Sequence, residues 1–379
     1  MRVLFTMNPA PGHLFSMVPL AWALHLRGDQ VLVAVPQPLH QQVRRAGLTA
    51  AVVGGDASFF ELWPSGVGLG GNEELDLDVF VALAERTRDD IDALVRAWRP
   101  DLVVTEPVEY AGPLAATRAG VPWVLQHWGL PVPEPVHRAA LAKVEPRLSG
   151  LYGGVTVDPP ALTVDTCPPS LGAVRGGTPM RYVPYNAACT IPDWLLETPD
   201  RPRVCVSMGT VPIPEGVDGL TAAVLGLREL DVEVVVSGAG VHNLGGLPGG
   251  VRRIGWIPHN QLLPGCALFV HHGGSGSSMA ALTAGRPQLL MPQMCDQFAI
   301  AERLTAAGAA RAVPFAERCA EAVRIEAAKL LSDDGYHVRA AALAAEIAAM
   351  PSPSAVADLI ARTAQVVRPR VDDGRPVRA

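Results

Sequence analysis

The six cysteines, Cys167, Cys189, Cys205, Cys266, Cys295 and Cys319, include no Cys-x-x-Cys pair and follow no regular spacing. That excludes a zinc ribbon and argues against a disulfide framework, and it suits a reducing cytoplasm. There is no basic run and the formal net charge is -6, so a nucleic-acid surface is not expected. No segment supplies the ~18 unbroken apolar residues of a membrane span. The apolar stretch from Arg2 to Leu26, with Ala21-Trp22-Ala23, shares features with a secretory leader. Pro9, Pro11, Gly12 and His13 break it into a short strand and a separate helix, so it reads as part of the fold. A Gly-x-Gly-x-x-Gly turn is missing as well. Pro9-Ala10-Pro11-Gly12 holds one glycine, and Val35 leads into Pro36-Gln37 rather than an acid, which disfavours a nicotinamide dehydrogenase. No repeat of about 20 to 50 residues runs through the chain.

What is present is enough for two cores. At 379 residues, 49% of them hydrophobic and 18% charged, the chain predicts two globular domains. Residues 2 to 7 read as a buried strand, Leu14 to Arg27 as a helix ended by Gly28, and Val31 to Val35 as the next strand. A Gly-rich loop around 54 to 72 precedes a helix over 77 to 98, a strand over 101 to 105, a helix over 114 to 119 and a strand over 121 to 126. Asp76-Leu77-Asp78 reads as the solvated start of that first helix. From 155 to 202 the sequence is Pro-rich and without clear periodicity, as expected of a domain's tail and a connector. A second alternating series predicts strands at 204 to 208, 232 to 236, 251 to 254, 268 to 270 and 288 to 291. Helices follow at 320 to 331, 336 to 349 and 353 to 367, before a tail expected to fray. Alternation of this kind describes two doubly wound parallel sheets, over 1–196 and 203–379, with ligands in the cleft beyond their strand ends.

The most telling segment is Phe269-Val270-His271-His272-Gly273-Gly274-Ser275-Gly276-Ser277-Ser278. An apolar strand enters a helix start with two imidazoles and three glycines. Free N–H groups and the helix dipole make such a spot an anion cradle. Gly285, Pro287, Pro292, Gln293, Asp296 and Gln297 follow. Together these motifs resemble the donor-binding signature of nucleotide-sugar-dependent glycosyltransferases of the GT-B fold, in particular bacterial enzymes that attach deoxysugars to natural products such as aromatic polyketides. Ser275 and Ser277 stand where relatives often carry Ala and Thr, which keeps small size or a hydroxyl. The resemblance implies that His272 binds phosphate, joined by Gly274, Ser275, Gly276 and Ser277, and that Asp296 and Gln297 bond the sugar. It also implies that Trp256 stacks on the base while the backbone of Ile257 reads its edge; Ser207, Gly209 and Thr210, following the first strand of the second half, are further candidates to touch phosphate. The last helix is expected to pack back on the first domain.

On the other side of the cleft the resemblance makes His13, in Asn8-Pro9-Ala10-Pro11-Gly12-His13, the general base. An imidazole titrating near pH 6.5 is suited to taking a proton from a hydroxyl. Glu106, after the strand ending at Thr105, stands where an acid, more often Asp, would hold the imidazole in place. His127 is a second candidate base. Phe59, Phe60, Trp63, Phe80 and Trp128 are candidates for a flat acceptor pocket. The expected reaction is an inverting, metal-independent transfer of a sugar from a nucleoside diphosphate, with dTDP as the expected nucleotide, to a hydroxyl or aromatic carbon of an aglycone. No cofactor beyond that co-substrate, no nucleic acid and no membrane are expected, and a homodimer is compatible. A nucleotide-sugar epimerase of the same fold, or a non-catalytic sugar-nucleotide-binding partner protein, are the alternatives.

Overall fold

The computed structural model of the chain describes residues 1–62, 77–210, 214–238 and 251–367. Trp63, Asp76 and the 368–379 tail lie outside them, as does the side chain of Phe60. The first sheet contains β1 (Arg2–Thr6), β2 (Gln30–Val35), β3 (Thr49–Val52), β4 (Leu102–Thr105), β5 (Trp123–Gln126), β6 (Leu162–Asp165) and β7 (Thr178–Pro179). All pairs are parallel, in the order β3-β2-β1-β4-β5-β6-β7. Its helices are α1 (Pro11–Leu26), α2 (Gln37–Arg45), α3 (Phe59–Leu62), α4 (Asp78–Trp98), α5 (Ala111–Arg118) and α6 (Glu134–Tyr152). The second sheet, also parallel, has the order β10-β9-β8-β11-β12-β13. Its strands are β8 (Arg203–Ser207), β9 (Glu233–Ser237), β10 (Arg252–Ile254), β11 (Leu268–His271), β12 (Gln288–Leu290) and β13 (Ala310–Ala312). The helices there are α7 (Pro214–Leu227), α8 (His259–Leu262), α9 (Ser275–Thr283), α10 (Gln297–Ala306), α11 (Ala320–Ser332), α12 (Asp334–Ala349) and α13 (Pro353–Val367).

Helices on both faces of a parallel sheet bury its strands twice over, so the central strands are continuous apolar runs. Val3, Leu4 and Phe5 of β1, and Leu268, Phe269 and Val270 of β11, are fully buried. The edges are different. The 155–202 region, expected to lack regular structure, supplies β6 and β7, and β13 reads only Ala310-Arg311-Ala312. Edge strands pair on one side, so they need no long apolar run and tolerate Pro179. α2, β3 and α6 are further elements that the periodicity did not announce. Pro146 interrupts the apolar pattern of α6 without ending the helix.

The two halves are tied together at several points. Val356, Ala357, Ile360 and Ala364 of α13 are buried in the core that covers α1 and β1, and Arg27 bonds Asp358 at 3.1 Å. The last helix thus lies on the first domain. Ser170 donates through its backbone N–H (2.7 Å) and hydroxyl (2.5 Å) to Glu346. Gly129, after β5, rests on α9, where a Cβ would fall 2.5 Å from Met279 Cγ and 2.6 Å from Ser275 Oγ. Among the described residues no single helix is long and apolar enough to cross a membrane.

Candidate active site

Each sheet reverses its winding once, between β1 and β4 and between β8 and β11. Loops leaving the carboxyl ends at such a reversal splay apart and leave a crevice. Here the crevices face one another across a cavity of about 830 Å3, lined from both halves.

On the first wall, Pro11 opens α1 with its fixed φ and its missing N–H, which the first helical turn does not need. His13 therefore stands in that first turn. Its Nδ1 lies 2.9 Å from Glu106 Oε1, and its ring lies tilted against Trp128 (centroids 4.5 Å apart) and stacked against Phe80 (6.0 Å). Glu106 is buried, and also accepts from Asn8 Nδ2 (2.7 Å) and from the backbone N–H of Asn8 (3.3 Å) and Val108 (2.9 Å). Its oxygens act as acceptors throughout this cluster. The Nδ1 proton of His13 then points at the carboxylate, and the Nε2 lone pair is left for the cavity that His13 lines. A second buried carboxyl, Glu109, accepts from Thr6 Oγ1 (2.5 Å), Thr105 Oγ1 and the N–H groups of Ala111 and Gly112, fixing the start of α5. Burial pushes its pKa up. His127 lines the same cavity, and burial lowers its pKa against the pull of Asp165. Phe59 and Phe80 also line it and touch each other, with centroids 5.6 Å apart.

On the opposite wall the two adjacent imidazoles separate. His271 ends β11 fully buried, with Nε2 2.9 Å from Gln288 Oε1 and Nδ1 accepting the Gly273 N–H at 3.1 Å. Both ring nitrogens are used internally and burial holds its pKa well below the ordinary value, so it is a structural group. Gly273 then takes φ +87°, a left-handed turn that glycine adopts readily. His272 faces the cavity, its ring lying between Gly209 and Gly274. A Cβ on Gly274 would sit 2.4 Å from His272 Nε2, and one on Gly209 2.6 Å from Cε1. Burial lowers His272 to about 4, opposed by the Ser207 carbonyl and reinforced by Arg318. At neutral pH it is an uncharged hydrogen-bond donor.

Behind it α9 starts at Gly274 with no side-chain cap, leaving its first N–H groups for a ligand. Ser275, Gly276 and Ser277 line the cavity, and the buried Ser275 hydroxyl has no partner. Ser207, Gly209, Thr210 and Ile257 line it too. Trp256 reaches it but is anchored elsewhere, its Nε1 donating to the Asn186 carbonyl at 2.5 Å and its ring meeting Phe15 edge-on.

Asp296 lines the cavity at the start of α10, just after Cys295, a non-glycine residue at φ +52°. Its carboxylate does not cap the helix. Burial lifts its pKa to about 6, against the attraction of His13. Gln297 is a narrower candidate than the sequence implies, because its Oε1 accepts from the N–H groups of Gln293 (2.8 Å) and Met294 (3.3 Å). That bond holds the loop that presents Asp296.

Four side chains around the cavity went unnoticed in the sequence. His259, following Gly255-Trp256-Ile257-Pro258, lines it with an unpartnered Nδ1 and is pushed down to about 4 by burial. His137 and Arg303 line the acceptor side. Arg318 lies behind the loop, donating through Nη2 to the carbonyls of Met291 (2.7 Å) and Pro292. Its Nε and Nη1 are buried without partners, and burial lowers the guanidinium to about 10. His137, Arg303 and Arg318 stand alone in the sequence with no motif to mark them, and only His259 adjoins a segment the sequence marks. Among the described residues, no three His, Cys, Asp or Glu side chains are grouped to hold a metal ion.

The Asp296 environment has a measurable consequence. The folded chain releases this proton near pH 6 and an unfolded one near 3.8, so ionisation opposes folding fully above pH 6 and not at all below about 4. Asp296→Asn should therefore raise Tm at pH 7.5 by several degrees, at roughly 2–4 °C per kcal/mol. The gain should shrink as pH falls from 6 to 4. Thermal unfolding at pH 7.5 and 4.5 checks this, and equal Tm values at pH 7.5 would refute it.

Comparison with known proteins agrees with this architecture. Residues 74–209 match the family model of the erythromycin biosynthesis protein CIII-like N-terminal domain, and residues 222–362 match its C-terminal domain. The chain is 43% identical over 385 residues to the L-demethylnoviosyl transferase of Streptomyces niveus, covering 97% of this chain and all of that one. Among solved structures, the glycosyltransferase SsfS6 of Streptomyces sp. SF2575 complexed with thymidine diphosphate superposes with a TM-score of 0.82 at 34% identity, over 96% of this chain and 99% of that one. The spinosyn rhamnosyltransferase SpnG complexed with thymidine diphosphate gives 0.82 at 31%, over 95% and 100%. Two facing parallel-sheet domains, an imidazole on each wall of the cleft and these likenesses along nearly the whole chain make it a GT-B glycosyltransferase of the erythromycin biosynthesis protein CIII-like family, an enzyme of natural-product pathways.

Proposed function

We propose that the enzyme moves a deoxysugar from a thymidine diphosphate donor to a hydroxyl or aromatic carbon of a natural-product aglycone, inverting the anomeric centre without a metal ion, in the cytoplasm. One observation supports this most: the His13–Glu106 pair and the uncapped start of α9 lie on opposite walls of a single cavity. His13 Nε2 takes the acceptor proton while Glu106 stabilises the imidazolium that forms. In this reading the nucleophile attacks the anomeric carbon from the His13 side and the diphosphate leaves toward α9, an in-line arrangement consistent with inversion. His272, the α9 N–H groups and the Ser277 hydroxyl receive the charge growing on the leaving oxygens. Asp296 accepts from sugar hydroxyls. If the acceptor is a phenol, the same deprotonation enriches its ortho carbon, and a C-glycoside forms from the same arrangement.

Support for the nucleotide comes from the two solved relatives that hold thymidine diphosphate. An epimerase would not need the aromatic wall formed by Phe59, Phe80 and Trp128. Calorimetry should show saturable binding of thymidine diphosphate, and transfer from thymidine diphosphate deoxysugars to aromatic aglycones should continue in EDTA. The absence of nucleotide binding by folded protein, or activity restored only by a divalent ion, would refute the reading.

A further inference from the structure

Resting on the reading that this cavity receives a sugar acceptor, we infer that the acceptor carries an ionised oxygen acid, a carboxylate or an acidic phenolate or enolate, seated against Trp128, His137 and Arg303. Trp128 Nε1 is buried and has no partner, although an indole nitrogen can only donate. His137 Nε2, on α6, is buried and unpartnered as well. Burial lowers the His137 pKa, so the ring is neutral at pH 7 and can offer an N–H. Arg303, on α10, donates through Nη1 to the Pro131 carbonyl at 2.9 Å, which draws its guanidinium to the same 127–137 segment. It makes no ion pair among the described residues, and neither does Arg175 at the rim. All of these side chains line the one cavity.

One acid on this wall could balance them, Glu134, whose charge reaches His137. Among the described residues only Glu134 and Asp296 line the cavity as carboxylates. Glu134 is exposed and bonded to Arg138, and Asp296 sits on the donor loop. Glu106 is buried and bonded to His13. A neutral acceptor could offer oxygens to the indole and imidazole N–H groups but would leave the Arg303 guanidinium, bonded to the Pro131 carbonyl, without a counter-charge. An ionised oxygen acid on that acceptor supplies the counter-charge and acceptor oxygens for these donors, while its reacting hydroxyl stays beside His13, whose ring touches Trp128.

The test compares 3-hydroxy-2-naphthoic acid with its methyl ester, two aromatic probes that keep the same hydroxyl and differ in the acid. Each is titrated by calorimetry into the full-length enzyme saturated with thymidine diphosphate. The acid should bind roughly tenfold or more tightly, the contribution of one charge-assisted hydrogen bond. Arg303→Met, Trp128→Phe and His137→Phe should each narrow that ratio, with Arg303→Lys retaining part of it. Thymidine diphosphate affinity measured on the same samples reports folding. An ester that binds as tightly as the acid, no saturable binding of the acid, or an unchanged ratio in Arg303→Met overturns the inference. Sugar transfer to each probe is followed separately. Equal transfer to both removes only the acid preference, whereas an intact binding preference without transfer counts against the reaction and not against this site.

Discussion

Replacing His13 with alanine should lower kcat by roughly 10²- to 10⁴-fold, the span associated with a positioned general base, while thymidine diphosphate still binds within about twofold of wild type. The separation follows from the geometry. His13 belongs to the first turn of α1 and is bonded to Glu106, on the wall away from the α9 cradle, so its loss removes the proton acceptor and spares the nucleotide contacts. Glu106→Gln gives the finer result. A glutamine oxygen can still accept from Asn8 and from His13, but its amide would then face the Val108 N–H, donor against donor. Flipping the amide would set it against both Asn8 donors instead, so the oxygen stays toward His13, and a neutral amide no longer stabilises the imidazolium that forms when His13 takes the acceptor proton. The variant should therefore keep its fold and its affinity for nucleotide while losing most of its turnover. Steady-state kinetics with one thymidine diphosphate sugar, alongside calorimetry with the free nucleotide, measures both. Transfer at the wild-type rate in His13→Ala would remove the base assignment and leave His127 as the imidazole to examine.

Much of this arrangement can be read from the residues before any coordinates. Central strands such as β1 and β11 are apolar from Val3 to Phe5 and from Leu268 to Val270 because they are covered on both faces, and the loops that follow them sit where a parallel sheet exposes its ligands. That is why Asn8 to His13, Glu106 and the His-His-Gly-Gly run stand out. The division of labour between His271 and His272 is not legible in the same way. It depends on strand alternation at the end of β11 and on the left-handed turn at Gly273, which together send one ring into the core and the other into the cleft. Gln297 likewise resembles a sugar ligand until its carbonyl oxygen is found bonded to the loop at Gln293 and Met294. His137, Arg303 and Arg318 are single residues on distant segments, brought to the cavity or its surroundings only by packing, and the short strand β6 with the edge strands β7 and β13 lack the apolar run that periodicity detects.

The second large effect is expected at Gly274, from one methyl group. Its backbone, at φ -61° and ψ 144°, is open to any residue, so Gly274→Ala adds no backbone strain. The new Cβ would nevertheless lie 2.4 Å from His272 Nε2 and 3.1 Å from Cε1. Gly209 closes the other side, since a Cβ there would fall 2.6 Å from the same ring. The imidazole cannot slide toward Gly209 and must rotate out of the site, taking its hydrogen bond away from the departing diphosphate. Loss of one such donor typically lowers kcat about 10²- to 10³-fold, and Gly274→Ala should fall in that range with a weaker affinity for thymidine diphosphate. The cause can be isolated with His272→Ala, where the ring is absent and the added methyl has nothing to strike. Gly274→Ala should then have little further effect on kcat in the His272→Ala background, a strongly non-additive pair. If the methyl lowers turnover equally in both backgrounds, the collision is not with the imidazole, and the role of the two glycines as walls for that ring is wrong.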